Sequence, residues 1–118
     1  IELHNRGTTA ASLAGWALSD DERQPGQWLL PAVTLPAGGY LVVFASAKDR
    51  RDPAGPLHAN FQLSRAGEFL GLFSHELPRV GVDVFSPEYP EQRGDHSFGR
   101  DSSGAWRYFA TPTPGAAN

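Results

Sequence analysis

Four histidines, His4, His58, His75 and His96, lie in four separate segments of a chain that also carries many serines and aspartates, the residue types of nucleophilic catalysis. A nucleophile needs a base within hydrogen-bond reach and a third group that orients the base. No local signature of such a set is present. The Gly-x-Ser-x-Gly elbow, the Gly-x-x-x-x-Gly-Lys-Ser/Thr loop, His-Glu-x-x-His and the glycine-spaced dinucleotide turn are all missing from the sequence. A triad joining His58 or His75 to a distant serine and aspartate would have to be assembled by the fold, and scattered histidines are expected at surfaces and strand ends. The chain is therefore read as not an enzyme and as using no cofactor.

Metal chemistry has one weak candidate, the run Asp20-Asp21-Glu22, because carboxylate oxygens gathered in a turn suit calcium. The run lacks the alternating Asp spacing of a calcium loop and offers no distant ligand, so a solvated turn is expected. The four histidines have no paired spacing and there is no cysteine, which leaves zinc to coincidence of the fold and removes disulfides and thiolates altogether.

Ten basic against thirteen acidic side chains give a net charge of −3, the wrong sign for a protein that would bind by neutralising phosphates. Nucleic acid is disfavoured as a partner. Only Lys48 to Arg51 is locally basic, and Asp49 and Asp52 interrupt it, so Lys48, Arg50 and Arg51 are expected to touch an acidic partner at most. Most aromatics are expected in the core, where they carry the largest apolar area. Trp28 and Tyr89, flanked by polar or Pro-rich residues, are the candidates for an exposed platform that would contact a partner or stack on sugar.

These residues need a scaffold, and 118 residues that are 40% hydrophobic suffice for one domain with a real core. Thirteen Gly and ten Pro interrupt helices throughout. Short apolar runs recur between turn signals, at 1–4, 13–18, 28–30, 33–35, 40–45, 59–63, 68–74, 79–85, 96–100 and 105–110. Nine or ten short strands without a helical window predict an all-β, antiparallel sandwich or barrel. Tyr40 to Ala45 is apolar on both faces and is expected to be a central strand covered on both sides. Residues 46–56 read as a long exposed loop, with one helical turn allowed at 47–50. Pro36-Ala37-Gly38-Gly39 predicts a turn with φ > 0. Trp16, Leu18, Leu41, Val43, Phe61, Leu70, Leu72 and Val82 are the expected core, and Arg100 should snorkel or meet a carboxylate. Residues 1–110 form the domain and 111–118 a Pro/Gly-rich exit or linker. No run of eighteen apolar residues could span a membrane.

Several stretches together resemble the lamin tail domain in its bacterial form. They are Ile1-Glu2-Leu3-His4-Asn5, Leu13 to Asp20, Leu35 to Ala45, Asn60 to Ser64 with Gly67, Glu68 and Leu70, Ser97 to Arg100, Gly104 to Trp106, and Thr111 to Asn118, in that order. The resemblance implies an immunoglobulin-like antiparallel β-sandwich. It further implies a non-catalytic binding or structural module of a larger exported or cell-surface protein, contacting a protein or a cell-envelope component by adhesion or tethering. A carbohydrate-binding module serving an attached hydrolase is the alternative, and an exposed coplanar pair of aromatics would favour it. The family transfers no catalytic or ligand residues. Ile1-Glu2-Leu3 opens in mid-alternation, and similar sequences carry a strand upstream. A first strand is therefore expected to be missing, leaving the piece less stable than an extended one and prone to self-association.

Overall fold

Pro and Gly punctuate the chain at intervals too short for helices, so the backbone satisfies its donors and acceptors by pairing strands. A computed structural model describes all 118 residues and contains eleven short strands and no helix. In chain order they are β1 (Glu2–His4), β2 (Ala11–Ser12), β3 (Ala17–Ser19), β4 (Trp28–Leu29), β5 (Thr34–Leu35), β6 (Tyr40–Phe44), β7 (Leu57–His58), β8 (Leu70–Phe73), β9 (Gly81–Phe85), β10 (Ser97–Arg100) and β11 (Trp106–Phe109). They make a three-stranded sheet, β1-β6-β7, a four-stranded sheet, β4-β3-β8-β9, and two ribbons, β2-β5 and β10-β11. Every pairing is antiparallel except β6 with β7. The protein is an all-β sandwich.

The core lies between the two larger sheets. Val43 of β6 and Leu57 of β7 meet Leu18 of β3 and Trp28 of β4, and Leu13, Leu30, Leu35, Ala59 and Phe61 close the cluster. Among the expected core residues, Leu18, Val43 and Phe61 are buried, and Trp16, Leu41, Leu70 and Leu72 are half-buried against the same cluster. Val82 is a correction, at 52% exposed. The β8–β9 register shifts between Leu72 and Phe73, leaving Val82 as the unpaired residue on the outer strand of its sheet.

β6 also departs from expectation. It is central in its sheet, yet only Leu41 and Val43 pack against the core, while Phe44 stands 51% exposed. On its other face Tyr40 and Val42 are half-buried beside a cleft and Phe44 is open, so that side is covered only in part. Strand pairing after the long loop begins earlier than predicted, at Leu57, and 59–62 continues it only through isolated bonds to Phe44 and the loop. Gly38 adopts the φ of +73° that the predicted turn requires.

An open cleft of about 1140 Å³ separates the sandwich from the β10-β11 ribbon, lined by Ile1, Leu3, Leu70, Leu72, Phe98 and Trp106 among others. Residues 112–118 fold back along it. The Gly115 N–H donates to Glu2 Oε2 at 2.6 Å, and Asn118 Nδ2 donates to the Arg100 carbonyl at 2.8 Å. Arg100 meets the Asp83 carboxylate, with Nη2 3.0 Å from each oxygen, and lies 4.3 Å from the Trp106 ring centroid. No helix is long and apolar enough to cross a membrane.

Candidate functional site

The loop that leaves β6 carries the local cluster of basic residues, and its backbone is held at nearly every second residue. Ala47 N–H donates to the Phe61 carbonyl at 3.1 Å and Asp49 N–H to that of Ala59 at 3.2 Å. Arg50 and His58 exchange both backbone bonds, at 2.8 and 3.0 Å. The helical turn allowed at 47–50 does not form. Ala47 (φ 64°) and Asp49 (φ 52°) sit in the left-handed region instead, because the loop bonds outward to 58–61 rather than to itself.

Within this frame the acids and bases part company. Asp49 Oδ1 accepts the indole N–H of buried Trp28 at 3.0 Å, and Asp52 Oδ1 caps the Ala54 N–H at 2.9 Å. Lys48, Arg50 and Arg51 are exposed, and the three ion pairs of the molecule, Arg23–Asp21, Arg100–Asp83 and Arg107–Asp101, include none of them. Arg51 Nε donates to the Leu29 carbonyl at 2.8 Å, which fixes one of the three. Asp49 therefore reaches back to the core, Asp52 closes its own turn, and Lys48 and Arg50 stay exposed without an ion pair.

Phe44, Ser46 and His58 complete the surface. The Phe44 and His58 rings stack with centroids 5.0 Å apart, and Ser46 Oγ lies 2.8 Å from His58 Nδ1. The serine–histidine contact has the spacing of a dyad and differs from one in its surroundings. No carboxylate is hydrogen-bonded to the other ring nitrogen to orient the imidazole. Partial burial, then the charges of Lys48 and Arg50, push the His58 pKa down, which weakens it as a base. His75 and His96 join no serine–aspartate set either; His96 Nδ1 bonds the Gly94 carbonyl at 2.8 Å.

The sequence candidates thus separate. Lys48, Arg50 and Arg51 are gathered on one exposed loop. Trp28 and Tyr89 are corrections, at 2% and 4% exposed, because each fills a packed site and gives its polar hydrogen to the protein. Neither is a surface platform. Asp20, Asp21 and Glu22, the weak calcium candidate, follow β3 in a turn, and no group of three metal-ligating side chains converges there. Asp21 instead accepts from the Arg23 backbone N–H at 3.0 Å, which with the Arg23 side chain holds its carboxyl below the usual range. Phe44, Ser46 and His58 escaped sequence reasoning because the parallel β6–β7 pairing that unites them leaves no local mark.

Tyr89 yields a pH prediction. Its phenol donates to the Ser64 carbonyl, and burial followed by Glu68 and Asp20 raises its pKa to about 12. A phenol unfolded near pKa ~10 and folded above it contributes fully below pH ~10, and that contribution is lost as pH rises through the folded value. Parent stability should therefore fall between about pH 10 and 12, and Tyr89→Phe should lack that increment while being less stable at neutral pH by about 0.5 to 1.5 kcal/mol. Urea midpoints for both proteins across that range check the sign.

A second aromatic group, Phe85, Phe98, Trp106 and Tyr108, borders the cleft. Phe98 and Trp106 lie 10° from parallel with centroids 5.3 Å apart, so they face each other rather than forming a side-by-side platform. Arg100 and Arg93 already cover Trp106 and Tyr108. The chain matches no protein-family model, no curated protein and no solved structure.

Proposed function

We propose that this chain is a non-catalytic contact module. On this reading it is a lamin-tail-like domain of immunoglobulin-like build that tethers a larger exported or cell-surface protein to a protein or an envelope component. The observation that carries the reading is the loop 46–52, which presents Lys48, Arg50 and Arg51 without acidic partners on a backbone already bonded to the sheet. Pre-ordering of this kind reduces the entropy lost on binding. The two-layer antiparallel architecture and the order of the matching segments support the family resemblance. A second reading, carbohydrate binding, draws on half-exposed Phe44 beside the same cations.

The test uses fluorescently labelled chain and whole bacterial cells. The triple charge reversal Lys48→Glu, Arg50→Glu, Arg51→Glu changes exposed side chains and should alter folding little. It should reduce retention on cells by about tenfold or more, equivalent to ~1.4 kcal/mol. Trp106→Ala, on the far ribbon, should leave retention unchanged. Equal retention of the parent and the triple variant would remove the loop from the function.

A further inference from the structure

We propose that Phe44, His58, Arg50 and Lys48 form a binding site for an acidic polysaccharide, a chain of sugar rings bearing carboxylate or sulfate groups. The proposal rests on the contact reading above and names the partner's chemistry. Its basis is register. Phe44 is paired with His58 across β6 and β7, and His58 with Arg50 across the following bridge. Paired residues project to the same face, so a phenyl ring, an imidazole and a guanidinium stand in one row. The outer two are two strand spacings apart, roughly 10 Å.

Lys48 and Arg50 are exposed beside half-buried His58. Ser46 Oγ accepts the Lys48 backbone N–H at 3.2 Å and lies 2.8 Å from His58 Nδ1. When that hydroxyl donates to Nδ1 the neutral ring carries its proton on Nε2, as the protonated ring also does, beside two cations without acidic partners. An anion seated there would meet N–H groups from three residues, while the exposed part of the Phe44 ring offers an apolar face to a sugar's C–H surface.

The shape selects among polyanions. The surface is an open sheet face, and the far edge of β7 is occupied by the Arg50 bridge, so a peptide could not add a strand there. A nucleic acid would meet three clustered cations on a chain of net charge −3, too few for phosphate neutralisation to dominate. An extended sugar chain needs neither a strand edge nor a long-range field. It needs a ring contact and an anion contact side by side.

Polygalacturonate, its methyl-esterified form, poly-glutamate and vesicles of phosphatidylglycerol with phosphatidylcholine separate the possibilities when titrated onto the full chain. Polygalacturonate should bind, with the esterified polymer and poly-glutamate each weaker by about tenfold, the scale of one lost charge or ring contact. Phe44→Ala should weaken polygalacturonate by a similar factor and leave poly-glutamate unaffected. The charged groups facing His58 are Lys48 and Arg50, β6 adds only Phe44, and the loop after it adds the Ser46 hydroxyl. Bound carboxylate should therefore raise the His58 pKa in an NMR titration, and binding should tighten as pH falls from 7 toward 6.

Equal binding of poly-glutamate, or tighter binding of the vesicles, overturns the sugar commitment. So does an unmoved His58. If no polysaccharide binds while the triple charge reversal still strips the chain from cells, this proposal fails and the contact reading stands. If both effects are missing, the contact reading fails as well.

Discussion

Trp28→Ala should lower the unfolding free energy by about 3 to 5 kcal/mol, a large part of the total stability of a domain this size. Trp28 is 2% exposed in β4, paired with Leu18 and in the same core cluster as Val43 and Leu57. Deleting the indole removes its transfer free energy and leaves a cavity between two sheets that are each pinned by their own hydrogen bonds, so collapse is limited. It also leaves Asp49 without the donor that holds it inward. Loop 46–52 should then loosen, and retention on cells should fall even in the fraction that stays folded. Trp28→Phe separates the two contributions, because it keeps a ring in the core and removes the donor. Trp16→Ala, at a half-buried site, and Trp106→Ala, at 40% exposed, should each cost less. Urea midpoints with unchanged slopes would give the ranking Trp28, Trp16, Trp106. A Trp28→Ala midpoint equal to the parent's would mean that the indole does not join the two layers.

The fold class was legible because it depends on local signals. Alternating runs at Leu41 and Val43 and punctuation at Pro36 to Gly39 act over a few residues, and the sandwich follows from their number and spacing. Burial of a given side chain depends instead on its partners. Trp28 looked exposed because Gln27 and its neighbours are polar, yet pairing with Leu18 turns its indole into the core. Val82 looked buried because it alternates correctly, yet a register shift at the outer strand exposes it. The same limit applied to the candidate site. Lys48, Arg50 and Arg51 were visible as a run of charge, whereas the Asp49–Trp28 bond and the row Phe44–His58–Arg50 arise from contacts across the chain.

Gly67→Ala should destabilise the domain by several kcal/mol, although alanine is only one methyl larger. Gly67 has φ +110°, a backbone conformation open essentially to glycine alone, so any β-carbon there is strained. The position is also closed sterically. A β-carbon built on Gly67 would lie inside the van der Waals surface of the Tyr89 carbonyl oxygen, and backbone cannot swing aside as the tip of a flexible side chain would. The segment that would have to move is well tied. Tyr89 N–H donates to the Glu68 carbonyl at 3.1 Å, the Tyr89 phenol donates to the Ser64 carbonyl, and Gln92 N–H donates to that of Arg65 at 2.7 Å. Relief of the clash therefore requires breaking the clasp between 64–68 and 89–92, which would expose the phenol and open its edge-on contact with Phe85. Backbone strain of about 1 to 3 kcal/mol adds to the loss of the clasp. The variant has a signature beyond its midpoint. The Tyr89 pKa, about 12 in the parent, should fall back toward ~10 as the ring becomes solvated. Gly55→Ala is the control, because nothing lies within 4 Å of a β-carbon there. An ultraviolet titration and urea unfolding of both variants check the two readouts together, and a Gly67→Ala protein with the parent's midpoint and an unmoved phenol would disprove the clasp.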